Sequence, residues 1–365
     1  MTTGLDPSLP AAELAQRLVD IPSVSGQETA LADAIERAVA GLPHLEVLRD
    51  GDAIVARTML GRGRRVVLAG HIDTVPVNGN LPARLLERDG EKALWGRGSV
   101  DMKAGVAVQL KLAAELSEPA VDVSWIWYDH EEVSGELNGL GRLARTRPEL
   151  LAADLAILGE PSGAAVEGGC NGTARIQVRT RGVRAHSARA WAGVNAIHAA
   201  APVLDTLAAY EPREVEVEGL VYREGLSAVG IAGGVAGNVI PDECTVHINY
   251  RFAPSRSGAE AVQHLRELFE PFGQVEVVDL AEGARPGLDD PFVQEFVAAV
   301  GGQARPKYGW TDVARFSALG VPAVNYGPGD ATLAHADDEH VPLSQIAACE
   351  DRLRRWLTAP ASDTR

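Results

Sequence analysis

The chain has 365 residues, 46% hydrophobic and 23% charged, an ordinary globular mix long enough for two domains. A formal net charge of −16 argues against nucleic acid as the main partner, because phosphate binding needs a basic surface. Three scattered cysteines, Cys170, Cys244 and Cys349, have no CxxC spacing; they argue against a disulfide framework or a thiolate zinc site and predict reduced thiols in the cytoplasm.

The N-terminal Met1-Thr-Thr-Gly-Leu-Asp-Pro7 has no basic region followed by an apolar one, so no signal peptide is expected. No later stretch is long and apolar enough for a membrane span. Residues 9–20 and 26–41 read as helices, the second with Ser25 as N-cap and Glu28 three residues on. Strands follow near 45–57 and 65–70, parted by the Gly-Arg-Gly-Arg-Arg turn at 61–65. The second strand runs into Arg65-Val-Val-Leu-Ala-Gly-His71-Ile-Asp73-Thr-Val-Pro76, an apolar run that stops at an imidazole and a carboxylate. Such a run reads as a buried parallel strand, and open α/β sheets place their sites beyond the carboxyl ends of strands. Asp73 stands close enough to hold His71 in place.

Residues 102–117 predict a helix with Val106, Leu110, Ala113 and Ala114 on one apolar face. Residues 121–128 and 154–158 predict strands. This alternation suggests α/β with a mostly parallel sheet. The pattern changes after Gly172. A half-buried strand at 173–180, a helix at 193–209, strands near 226–233 and 243–252, a helix at 257–271 and a strand at 274–279 make a small α+β domain. After Pro286 the first style resumes, with helices near 290–300 and 311–319, a strand at 321–326 and a closing helix at 341–357. The expected organisation is one domain of residues 1–172 and 287–365, interrupted by an insert of residues 173–286.

Four further polar clusters sit at strand ends or in Gly-rich turns. In Trp95-Gly-Arg-Gly-Ser-Val-Asp101-Met-Lys-Ala-Gly105 the glycines suggest a phosphate loop, but the Gly-Lys-Ser/Thr ending is missing. Asp101 alone also reads as a helix N-cap. Asp129-His130-Glu131-Glu132 reads either as a solvated acidic loop or as carboxylates awaiting a positive partner. Glu160 follows the strand at 154–158, and His335 lies in the loop after the strand at 321–326. Jointly, two histidines and several carboxylates without cysteine suit zinc, then cobalt or manganese. If one carboxylate bridges, the set suffices for two metals and leaves a Glu free as a base toward water.

These segments resemble the co-catalytic zinc aminoacylase/carboxypeptidase family over nearly the whole chain. The resemblance implies a zinc-hydrolase α/β domain with an inserted α+β dimerisation (lid) domain. It implies two Zn2+ per subunit, with Co2+ as a possible substitute. His71 and Glu160 would bind one ion, Glu132 and His335 the other, and Asp101 would bridge them. Asp73 would orient His71, and Glu131 would be the general base. The family's insert mediates homodimerisation and lends a histidine to the partner's site; His186 matches that histidine, while His198 reads as structural.

Within that family, residues 128–143, 223–241 and 307–316 resemble the succinyl-diaminopimelate desuccinylase branch. The resemblance implies hydrolysis of N-succinyl-LL-2,6-diaminopimelate, with Asn238, Arg251, Thr311 and Arg315 contacting the substrate. An acetylornithine-type deacylase and a non-catalytic binding homologue are the alternatives. Arg175, Arg179, Arg181, Arg184 and Arg189 crowd the start of the insert and could draw in a polyanion, or could be a solvated strand face. Ala331 stands where that branch usually has proline.

Overall fold

The computed structural model describes residues 4–88 and 90–359. The chain forms two compact units. The first runs up to Gly168 and takes in Pro286–Arg305 and the chain from Arg315 on; the second is Gly169–Arg285 with Pro306–Ala314.

The first unit is built on an eight-stranded sheet. At its centre Arg65–His71 pairs in parallel with Asp122–Tyr128 on one side and Leu155–Leu158 on the other. Leu155–Leu158 pairs in parallel with Ala323–Asn325. Antiparallel strands Ala53–Arg57 and Glu46–Asp50 extend the sheet at one side; antiparallel Val166–Gly168 and then Ala304–Pro306 complete it at the other. Every residue of Asp122–Tyr128 is buried, as expected for a strand covered on both faces. The sheet is therefore mixed, with its four parallel strands at the centre. His71 ends one of these strands and Glu160 comes two residues after another.

Helix Lys103–Glu115 packs on the central strand and against helices Ala11–Val19 and Leu343–Thr358. The amphipathic pattern read from the sequence undercounts its burial, because its polar side is covered too. Each buried polar head on it meets a main-chain carbonyl: Lys103 at Ile21 (2.8 Å), Gln109 at Ala69 (2.8 Å) and Lys111 at Ser8 (2.8 Å). These bonds offset the cost of burying the polar atoms. Gly105 lets the helix approach so closely that a Cβ there would collide with the Gly159 carbonyl, just ahead of Glu160. A separate three-stranded sheet joins Arg84–Arg88 and Glu91–Trp95 to His340–Pro342.

The second unit holds a four-stranded antiparallel sheet in the order Gly225–Gly233, Glu243–Phe252, Gly172–Arg181, Gln274–Ala281. Strand Glu243–Phe252 alternates strictly, burying Cys244, Val246, Ile248, Tyr250 and Phe252. That face packs with Leu265 and Phe269 of helix Gly258–Phe269, each worth about 1.5–3 kcal/mol on full burial. Ser257 and Glu260 form a capping box at the helix start. The single helix expected at 193–209 is two short ones, Ala196–Ala199 and Ala201–Ala208. The Asn195 side chain caps the first, accepting from the Ile197 and His198 amides, and Pro202 opens the second. All three cysteines are free and buried. Among the described residues no helix is long and apolar enough to cross a membrane.

Candidate metal centre

The central strand delivers His71 with its ring buried, 1% exposed. Its Nδ1 lies 3.0 Å from the Asp73 carbonyl and 3.5 Å from the Asp73 carboxylate. Donation from Nδ1 to that carbonyl leaves Nε2 free to accept, the tautomer a metal ligand needs. Nε2 faces Asp101 Oδ1 at 2.9 Å and Glu160 Oε1 at 4.0 Å. On the other side of Asp101, its Oδ2 lies 3.4 Å from His335 Nε2. That same nitrogen is 2.9 Å from Glu132 Oε1. One carboxylate thus turns each of its oxygens to a different imidazole. Ligand atoms of His71, Asp101 and Glu132 lie within 4.8 Å of one another.

Electrostatics tie these groups together. Burial disfavours a charged His71, but its hydrogen bonds to the Asp101 and Asp73 carboxylates outweigh that and raise its pKa well above the usual imidazole range. Hydrogen bonds to Asp101 and Glu132 push His335 up to about 10 despite partial burial. Burial raises Asp101, yet the two imidazoles hold it far below the usual carboxylate range. Protons shared in this way between imidazole and carboxylate occupy positions that a divalent cation can take, with their release. The donors are nitrogen and oxygen without sulfur, which fits two borderline divalent ions bridged by one carboxylate. His71, Glu160 and Asp101 would hold one ion, and Glu132, His335 and Asp101 the other.

The turn after Asp122–Tyr128 shows how Glu131 and Glu132 are presented. The fully buried Asp73 carboxylate accepts the Glu131 amide (2.9 Å), the Glu132 amide (3.0 Å) and the Ser25 hydroxyl (2.7 Å). Burial raises Asp73, but His71 first and then these donors bring it down to about 2. Asp73 therefore organises the turn bearing Glu131 and Glu132 as well as standing beside His71. Ser25, read from the sequence as a helix cap, spends its hydroxyl here; helix Thr29–Val39 begins after Glu28 with no side-chain cap. The acidic run 129–132 divides. Buried Asp129 pairs with Arg142 at 2.9 Å and with His130 Nδ1 at 2.7 Å. His130 has a left-handed φ of 59°, and its amide donates to buried Glu28 at 3.2 Å. The capping-box pattern of Ser25 and Glu28 misleads because their actual partners, Asp73 and His130, lie far along the chain.

The other candidates fall in both units. In the second, His186 is exposed and pairs with Val239, its Nδ1 accepting the Ala188 amide at 3.1 Å. The Ser187 amide donates to the Asn238 carbonyl (2.9 Å), so His186 and Asn238 border one bridge. The Arg251 side chain is half-buried and makes no ion pair or hydrogen bond among the described residues; burial first, then Arg175, lowers its pKa. Thr311 is buried, its carbonyl 3.7 Å from Cys170 Sγ. In the first unit, Arg315 on helix Val313–Ala318 reaches the Gly135 carbonyl at 3.4 Å. The arginine-rich strand is largely neutralised. Arg175 meets Asp279, Arg179 and Arg181 meet Glu243, and Arg184 meets Asp242, so a free positive patch is not what these four build.

Residues 67–359 match the peptidase family M20/M25/M40. A putative succinyl-diaminopimelate desuccinylase of Mycobacterium tuberculosis is 55% identical over 347 residues, spanning 94% of this chain and 97% of that one. A succinyl-diaminopimelate desuccinylase of Corynebacterium glutamicum is 49% identical over 355 residues, spanning 94% and 95%. Among solved structures, a tripeptidase of Staphylococcus aureus superposes with a TM-score of 0.79 at 20% identity, covering 97% of this chain and 99% of that one. At that identity the likeness speaks for the fold alone. Fold, matched length and relatives agree with a strand-end cluster suited to metals: the chain belongs to peptidase family M20/M25/M40.

Proposed function

We propose that this chain is a two-metal amidohydrolase that hydrolyses N-succinyl-LL-2,6-diaminopimelate to succinate and LL-2,6-diaminopimelate, a step in diaminopimelate and lysine biosynthesis. The observation that carries the chemistry is Asp101, with one oxygen toward His71 and the other toward His335. Identity of 55% over nearly the whole chain to a putative desuccinylase supports the substrate. Zinc is the ion this donor set favours, with cobalt as a substitute. Two such ions supply Lewis-acid activation of water and of the amide carbonyl.

The rest falls to the chain's own residues. Glu131, its amide fixed by Asp73, takes a proton from the attacking water. It returns that proton to the amide nitrogen as the C–N bond breaks, and the remaining acid proton passes to the released amine, so the products leave as carboxylate and ammonium. Asp73 holds the Glu131 and Glu132 amides in register and keeps its own charge despite burial, because His71 and its hydrogen-bond donors favour the carboxylate. Arg251, half-buried without an ion pair among the described residues, suits a substrate carboxylate, as do Asn238, Thr311 and Arg315.

The active unit is a homodimer formed through the inserted unit. Among the described residues, its edge strand Gly225–Gly233 leaves one side of its backbone unpaired and exposes Val229 (65%) and Ile231 (52%), a surface that pairs readily with a second copy. His186 then serves the partner's site, polarising the scissile carbonyl. Reduced, buried cysteines accord with work in the cytoplasm.

The test is a comparison of kcat/KM for N-succinyl-LL-2,6-diaminopimelate and N-acetylornithine. A site that pairs the succinyl carboxylate should favour the former by about 1,000-fold or more. Equal values, or a preference for the acetyl substrate, would remove the desuccinylase assignment.

A further inference from the structure

Two residues outside the ligand set tie its loops together. Arg97 and Glu339 are 4% and 1% exposed, and Arg97 Nη1 meets Glu339 Oε2 at 2.8 Å. The other oxygen of Glu339 accepts the amides of Val100 (2.9 Å) and of Asp101 itself (3.1 Å). Arg97 extends the tie. Its Nη1 also reaches the Ala336 carbonyl (3.3 Å), next to His335, and its Nε reaches the Pro76 carbonyl (3.2 Å) in the loop after Asp73. The main chain adds Gly96 N to Glu339 O at 3.1 Å.

The two halves of the centre depend on this tie unequally. His71 ends a central sheet strand and its ring is buried. His335 sits between a one-turn 3-10 helix ending at Leu333 and a strand starting at His340, with a left-handed φ of 65° and a side chain 53% exposed. Regular structure holds the first imidazole, whereas the second is held through what anchors residues 336–339. A buried ion pair is costly to form and costlier to leave half-made, so its retention here calls for a reason beyond stability.

We infer that Arg97 and Glu339 are positioning residues for the second metal position, the one built on Glu132, His335 and Asp101. By holding the Asp101 amide and the Ala336 carbonyl in one buried clasp, they set the reach from His335 to the bridging carboxylate. This inference rests on the two-metal reading above.

The test is calorimetric titration of Co2+ into full-length, chelator-stripped protein, with the visible absorption of bound Co2+ followed alongside. The native control tests the underlying reading by itself: a single equivalent there would end the two-metal account whatever the variants do. With two equivalents in the native protein, Glu339→Gln should keep the first affinity within about 3-fold and lower the second by about 10–100-fold. The absorption band of the second equivalent should change while that of the first persists. Arg97→Lys keeps the charge but loses the fork, and should lower the second affinity selectively and less. If Glu339→Gln does not fold, Arg97→Lys is read in the same way. Unchanged affinities at both positions would overturn the inference. Equal losses at both, with a lowered melting temperature of the stripped protein, would overturn it as well, since they mark a merely structural pair.

Discussion

Asp73→Asn is the substitution through which the site's geometry can be read as a free energy. The carboxylate is fully buried and accepts three hydrogen bonds, from the Ser25 hydroxyl and the amides of Glu131 and Glu132. An asparagine keeps the shape but removes the charge and turns an NH2 toward one of these donors. In metal-free protein Asp73 is held near 2 against an ordinary 3.8, burial being outweighed by His71 and these donors. At 1.36 kcal/mol per tenfold in proton affinity, that gap amounts to about 2.5 kcal/mol of stability. The sign follows from the depressed value. The contribution is complete above about pH 4 and is lost as pH falls through 2, about half remaining at pH 3. The assay is denaturant unfolding of stripped native and Asp73→Asn protein at pH 7 and pH 3. Fluorescence is the signal, since Trp125 and Trp127 are buried in the strand leading to Glu131. Native protein should be more stable by about 2.5 kcal/mol at pH 7 and by about half that at pH 3. A gap equal at both pH values, or none at pH 7, would refute the role given to this carboxylate.

Other consequences are equally direct. Glu131→Gln should lower kcat by roughly 10²–10⁴-fold while elemental analysis finds the native metal content; near-native turnover would exclude Glu131 as the base. His335 is pushed up to about 10 by Asp101 and Glu132, so in stripped protein it is charged at pH 7. That charge stabilises the stripped fold most below pH 6.5, and the benefit is lost as pH rises through 10. The second metal must displace this proton, so its affinity should rise about tenfold per pH unit between roughly pH 7 and 9. Calorimetry across that range checks the slope, and a flat profile would contradict it. Ile231→Lys, on the exposed edge strand, should give monomers in sedimentation velocity, and an unchanged mass would move the dimer contact elsewhere.

The strand ends that carry His71 and Glu160 are the legible part of this chain. Arg65–His71 and Leu155–Leu158 are continuous apolar runs, and such runs announce both a buried strand and where it stops. Hairpin Arg84–Arg88 with Glu91–Trp95 escapes the sequence reading because half of its strand residues are charged and half exposed, even though Gly90 at φ 80° marks the turn. Helix Gly139–Thr146 opens Gly-Leu-Gly, whose two glycines are poor helix formers, and exists because Asn138 caps it and Leu140 and Leu143 are buried. Its first glycine leaves room for the Asp129 carboxylate. The supporting contacts were harder still. Ser25 to Asp73 spans 48 positions and Arg97 to Glu339 spans 242, and no local pattern encodes such pairings.

The proposed bridging of two divalent ions by Asp101 is open to anomalous diffraction at the zinc edge, from crystals grown with zinc. Two peaks are expected, one against His71 and Glu160 and one against Glu132 and His335, with Asp101 touching both. A single peak, or a pair that Asp101 does not join, would contradict it.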